Sequence, residues 1–195
     1  PNPSRDIRTA SRDSLMRTFA DFRHRFTTGE DLVNLLLGMQ STLRRHESLR
    51  NCFEHYRRKD DETILPALSS FVDELSLACE SRCNSLLPSP QKGSACKRLH
   101  LFLRWMARKD AVDPGGWDNV PISKLIVPLD THMHRISRML RLTERAQPDI
   151  RTAIEITGAF RAIAPADPVR YDFALTRLGI RSDGDLKGFL EQCAA

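Results

Sequence analysis

Apolar residues in this chain recur every third or fourth position and almost nowhere every second, which leaves packed helices as the arrangement able to bury them. Residues 27–46, TTGEDLVNLLLGMQSTLRRH, place Leu32, Leu35, Leu36, Met39 and Leu43 at helical intervals behind Thr27 and Glu30, a pair at capping-box spacing. Residues 48–59 and 63–77 repeat the pattern, the second with Leu65, Leu68, Phe71, Val72 and Leu75 on one stripe. From about 94 to 108 the stripe is Leu99, Phe102, Leu103 and Met106, and Lys97, Leu101, Arg104 and Arg108 form a largely basic neighbouring face. Further helices are expected over 131–140, 149–160 and 167–178, the last with Asp167-Pro168 as cap and Gly179 as terminator. Only LIVPL, residues 125–129, hints at a strand, and its proline excludes it from a sheet centre. The expected fold class is all-α.

Two breaks interrupt the helical series. LLPSPQKG at 86–93 holds two prolines and a glycine and cannot continue a helix. KDAVDPGGWDNVPISKLIVPL at 109–129 holds three prolines and two glycines and reads as a long functional loop. The arginine-rich residues 1–25 read as a basic segment, either a helix face or a mobile arm, and a first residue Pro1 suggests an upstream part.

At 195 residues with 41% apolar content, the chain can bury a core without staples. Thirty Lys+Arg against 25 Asp+Glu give a net charge of +5, which suits a polyanionic partner without requiring one. The five cysteines, Cys52, Cys79, Cys83, Cys96 and Cys193, are odd in number and form no paired CxxC, which argues against a disulfide framework or zinc site. Cys79 and Cys83, four apart, read as core residues on one helical face. No apolar run reaches the roughly 20 residues of a membrane span, and no signal-peptide pattern opens the chain, so a soluble cytoplasmic protein is expected.

Lys97 stands near an expected helix start, where the dipole disfavours an ammonium; Lys92 and Arg98 act in the same direction. A neutral lysine is a nucleophile, whereas an ordinary solvated surface lysine is the plain alternative. The same turn offers free backbone N–H groups that bind phosphate. Asp130 precedes Met133, Ile136 and Leu140 at helical spacing and fits an N-cap. A capping carboxylate is also a fixed negative charge, which a developing sugar oxocarbenium needs.

Gly93 in a turn, Lys97 at a helix start, an extended apolar stretch ending in Asp130-Thr131-His132, and a helix carrying Arg135 together resemble the helix-hairpin-helix DNA glycosylase superfamily. The 33 positions between Lys97 and Asp130 are similar to the wide spacing of its archaeal 8-oxoguanine glycosylase branch. Residues 22–180, including FRHRFTTGEDL, KRLHLFLRWMARKD and PVRYDFALTRLGI, are also similar to a bacterial family known chiefly as a domain of unknown function. Two features depart from the superfamily: Pro88, Gly93 and Ala95 replace its Leu-Pro-Gly-x-Gly hairpin, and its four-cysteine iron–sulfur loop is absent.

The resemblance implies a helical glycosylase-like domain over 26–195, its hairpin turn at 86–97 and a cleft between helical lobes. Lys97 is then the nucleophile at deoxyribose C1′ and Asp130 the assisting carboxylate, excising a damaged base, an oxidised purine in the related branch. Gly93, Ser94, Arg98, Arg104, His132 and Arg135 are the implied DNA contacts. Trp105, Trp117, Phe102 and Tyr171 are candidate walls for a flipped base, with ordinary core packing as the alternative. His132 and His134, two apart, point to different helix faces, so no metal is expected there. The resemblance implies double-stranded DNA containing a damaged base as partner, no cofactor, and a monomer acting at a bacterial nucleoid. A non-catalytic nucleic-acid-binding domain and a protein-interaction module are the competing readings. Under the catalytic reading, Lys97 and Asp130 must meet.

Overall fold

The computed structural model describes residues 7–77, 86–180 and 186–194; Cys79 and Cys83 lie outside them. The described residues are mostly helical: α1 (Arg12–Thr18), α2 (Gly29–His46), α3 (Leu49–Tyr56), α4 (Leu65–Ser76), α5 (Lys97–Ala107), α6 (Thr131–Met139), α7 (Ile150–Ile163), α8 (Asp172–Ile180) and α9 (Leu186–Ala194). The fold is all-α, with one small ribbon of β1 (Arg23–His24) and β2 (Thr27–Thr28). None of the described helices is long and apolar enough to cross a membrane. The chain divides into two compact units, residues 1–61 with 65–92, and residues 62–64 with 93–195.

In the first unit the ribbon pairs Arg23 with Thr28 and His24 with Thr27 around Arg25, whose φ of 55° closes the turn. Two residues per strand are too few for alternation to register in the sequence. The ribbon also displaces the expected cap by one position, because Thr27 is in β2 and Thr28 becomes the N-cap of α2, exchanging bonds with Asp31. Helix α2 packs on α3 and α4. A Cβ on Gly38 would lie 2.0 Å from the Leu75 carbonyl oxygen, so the close approach of α2 to α4 requires glycine there. Val33, Phe53, Leu68, Phe71 and Val72 fill the interior. Glu74 is buried among them and is satisfied by Arg45, His46 and the Tyr56 hydroxyl. Burial raises its carboxyl, but those partners outweigh it and hold Glu74 below the usual range.

In the second unit the long break condenses into a 3-10 turn, Ile122–Lys124, followed by an extended segment that enters the core. Leu125, Ile126, Val127 and Leu129 are all buried. This segment is no strand: the Val127 N–H donates instead to the Thr157 hydroxyl on α7, at 3.0 Å. The segment ends at Asp130, which opens α6. Helix α6 packs on α8, and the would-be Cβ of Gly179 lies 2.8 Å from Ile136 Cδ1 and 3.4 Å from His132 Cβ. Gly179 therefore lies inside α8, as the small residue at a helix crossing, and does not terminate it. Helix α8 begins at Asp172, five residues later than the periodicity suggests, because Asp167 lies in a preceding turn and binds Arg108.

Arg108 belongs to an interior ion network that overturns the expected basic face of α5. Arg104 is 2% exposed, and its guanidinium bonds Asp113 and Asp172. Arg108 bonds Asp110, Asp113 and Asp167. The buried face of α5 is Leu99, His100, Leu103, Arg104 and Ala107, so the apolar stripe read from the sequence is joined by charge. Arg104 and Arg108 are thus unavailable to backbone phosphates, since four aspartates already satisfy their donors. Asp113, wholly buried, accepts from both arginines. Asp113→Ala should therefore destabilise the protein by about 3–5 kcal/mol, the scale of stranding a buried charge. Urea unfolding checks this, and a loss below roughly 1 kcal/mol would show the network to be dispensable.

Candidate functional site

The turn before α5 is built from backbone constraints. Gly93 has φ of 82°, and a Cβ there would meet nothing within 4 Å, so its backbone conformation alone accounts for glycine. The Gly93 carbonyl accepts from the Ile150 N–H at 3.1 Å, which fastens the turn to the first residue of α7. Ser94 Oγ accepts from the Cys96 N–H at 3.2 Å. Cys96 itself is left-handed, with φ 45° and ψ 37°, and supplies no side-chain cap. The helix consequently begins at Lys97, three residues later than expected, with Lys97 as its first residue.

Asp130 arrives at the same place from the buried segment Leu125–Leu129 and divides its oxygens between two tasks. Oδ1 accepts from the Met133 N–H at 2.8 Å, closing the N-cap of α6. Oδ2 lies 2.9 Å from Lys97 Nζ. Burial raises the Asp130 carboxyl, but the Met133 N–H and the Lys97 ammonium more than compensate and hold it below the usual carboxylate range. The side chain of Lys97 is 45% exposed and that of Asp130 13%, so the lysine faces solvent while the carboxylate sits behind it.

Lys97 stands on the wall of a pocket of about 460 Å³ within the second unit, a volume in the range of small-ligand sites. Trp105 of α5 and Phe173 of α8 supply aromatic surface, Pro128 belongs to the segment leading to Asp130, and Asp172 supplies a carboxyl. Trp105 is 43% exposed and is the one expected aromatic wall residue among those lining this pocket. Trp117 and Phe102 are not wall residues: they pack edge-on, their centroids 5.3 Å apart. Tyr171 packs against Phe160 and Arg170. Asp172 and Phe173 carry no sequence signal, because what holds them at the pocket is the pairing of Asp172 with the distant Arg104.

The remaining expected contacts separate into two groups. Gly93, Ser94 and Arg98 lie in or beside the turn, whereas Arg104 is in the interior. His132 Nδ1 and Arg135 Nη2 approach the Gly179 carbonyl oxygen at 3.2 and 3.1 Å, so both serve the C-terminal end of α8. His134 faces elsewhere, its Nε2 2.9 Å from the Arg145 carbonyl. Among the described residues no group of three or more His, Cys, Asp or Glu is placed to hold a metal.

Burial pushes the Asp172 carboxyl up to about 6, against the attraction of Arg104 and with repulsion from Asp130 adding to the rise. A carboxyl raised in the folded state contributes stability that is fully present below its unfolded value and is lost as pH rises. The unfolding free energy of the wild type relative to Asp172→Asn should therefore fall by on the order of 3 kcal/mol as pH rises from the ordinary 3.8 through about 6. Parallel urea titrations across that window measure the difference, and a flat difference would show that folding does not raise the Asp172 carboxyl. The subtraction removes Asp130, whose contribution runs the other way.

Neither the curated proteins nor the solved structures yield a match to this chain. The model of the family described as Protein of unknown function (DUF2400) matches residues 1–181, and the chain belongs to that family.

Proposed function

We propose that the protein is a lysine-dependent DNA glycosylase with associated lyase activity, acting on a damaged base, an oxidised purine by preference, in double-stranded DNA. The observation that carries this reading is the Lys97–Asp130 pair, 2.9 Å apart beside an aromatic pocket although 33 positions separate the residues in the chain. Its helix-hairpin-helix character rests on the likeness of the turn, lysine and Asp-Thr-His arrangement to that superfamily. In this reading the flipped nucleotide enters the pocket, its base stacks on Trp105 or Phe173, and its sugar lies against the Lys97–Asp130 pair. Asp172 offers a hydrogen-bonding group to the base edge.

The chemistry requires the amine to lose its proton, and Asp130 Oδ2 is within transfer distance. The neutral Nζ attacks C1′ as the glycosidic bond breaks, and the base departs with the bonding electrons and takes up a proton. Ring opening leaves an iminium between Lys97 and the sugar, and loss of a C2′ proton expels the 3′ phosphate by β-elimination. Once Asp130 has passed the proton from Lys97 to the departing base, its ionised carboxylate, fixed by its cap bond, stabilises the positive charge left at C1′.

Lys97→Gln keeps length and polarity but removes the amine, so borohydride trapping on lesion-bearing duplexes should vanish while lesion binding persists. Unchanged lyase activity in this variant on every lesion tested would sink the lysine mechanism. Asp130→Asn keeps an N-cap acceptor but loses the charge, and single-turnover base release should slow by roughly a hundredfold or more with little change in stability. An equal rate would remove Asp130 from the chemistry. Wild type that binds DNA but traps on no lesion would favour a non-catalytic binding domain.

A further inference from the structure

Helix α6 has a second surface that does not belong to the Lys97 pocket. A groove of about 770 Å³ runs along the helix from Thr131 to Met139 and past its end, with Arg135, Arg138, Arg141 and Thr143 among its lining residues. Glu144 is the one carboxylate among its lining residues. Arg138 and Arg141 are exposed, and no described carboxylate lies within ion-pair distance of any of the three arginines. Arg138 and Arg141 present forked donors that match phosphate oxygens, beside Arg135, whose Nη2 also donates to the Gly179 carbonyl.

The backbone at Arg141 is a second, independent observation. Helix α6 ends in a Schellman arrangement: the Arg141 N–H donates to the Arg138 carbonyl at 3.1 Å, and the Leu142 N–H to the Ser137 carbonyl at 2.8 Å. The residue after the C-cap must then be left-handed, a position glycine occupies with least strain. This chain places Arg141 there, with φ of 57°. Glycine would be least strained at this position, and the arginine side chain that stands there instead lines the groove.

The geometry points to this groove as a phosphate-binding subsite that grips the backbone of the nucleic acid beside the Lys97 pocket. This inference rests on the DNA reading above. Thr131, the residue next to Asp130, also lines the groove, so a strand held there passes the end of α6 that carries the catalytic carboxylate. Phosphate contacts of this kind set register and orientation without reading sequence.

The test is the salt dependence of binding to an undamaged duplex, with Arg138→Gln and Arg141→Gly compared against wild type. Each variant should bind several-fold more weakly at about 50 mM salt, and each should reduce the slope of log K against log salt by about one. Arg141→Gly should meanwhile hold or raise the thermal midpoint, because glycine relieves the left-handed position. If Arg141→Gly fails to fold, Arg138→Gln, which leaves the backbone arrangement intact, decides the question. Wild-type affinity and slope in the folded variants would overturn the proposal, as would poly-glutamate of matched charge competing as well as the duplex. Borohydride trapping at saturating lesion DNA separates the two readings. Trapping with unchanged slopes leaves the glycosylase standing without this subsite, and reduced slopes without trapping leave the subsite on a protein that binds DNA but does not cut it.

Discussion

Two arginines inside a helical core govern the second unit. Arg104 and Arg108 cannot be buried alone, since an unpaired guanidinium in the interior costs several kcal/mol. Their carboxylate partners come from different parts of the chain: Asp110 and Asp113 from the loop after α5, Asp167 from the turn before α8, and Asp172 from its first residue. The charges therefore act as a clamp. They draw the glycine- and proline-rich loop and α8 against α5, and the pocket beside Lys97 is lined by residues of those same three elements. Apolar packing would tolerate some sliding between them; directional ion pairs fix the register.

On that frame, Lys97 and Asp130 are each delivered by a backbone device. Lys97 is placed by a left-handed residue and a glycine that stop any earlier helix start, and by the bond from Ile150 to Gly93 that ties the turn to α7. Asp130 is placed by a buried extended segment whose backbone is satisfied by Thr157. Neither side chain needs to search for the other. The preorganisation resides in the backbone, which is where a fixed charge is best anchored if it is to act on a transient species.

The helices were legible because periodicity and capping report local physics. α3, α4, α6 and α7 fall close to where apolar spacing puts them, and Asp130 caps as its position suggests. What failed was long-range. The face of Arg104 and Arg108 looked like a solvated basic surface because nothing in the spacing of α5 reveals four aspartates folding back over it. Asp167-Pro168 carried a good local cap signal, but Arg108 claimed the carboxylate. The Thr27 and Glu30 spacing lost to Thr28 and Asp31 once a two-residue ribbon fixed the strand end. Lys97 and Asp130 were legible through resemblance and cap chemistry, whereas Asp172 and Phe173 were not, because the pairing of Asp172 with Arg104 that sets their place is long-range.

Asp130 must satisfy two partners with one short side chain. A glutamate carries an extra methylene and is a poor N-cap; asparagine, serine and threonine cap well but offer Lys97 no charge. Alanine does neither. Of the twenty side chains only aspartate meets both the Met133 N–H and the Lys97 ammonium with one group. Another residue at this position therefore gives up either the start of α6 or the charged partner of Lys97.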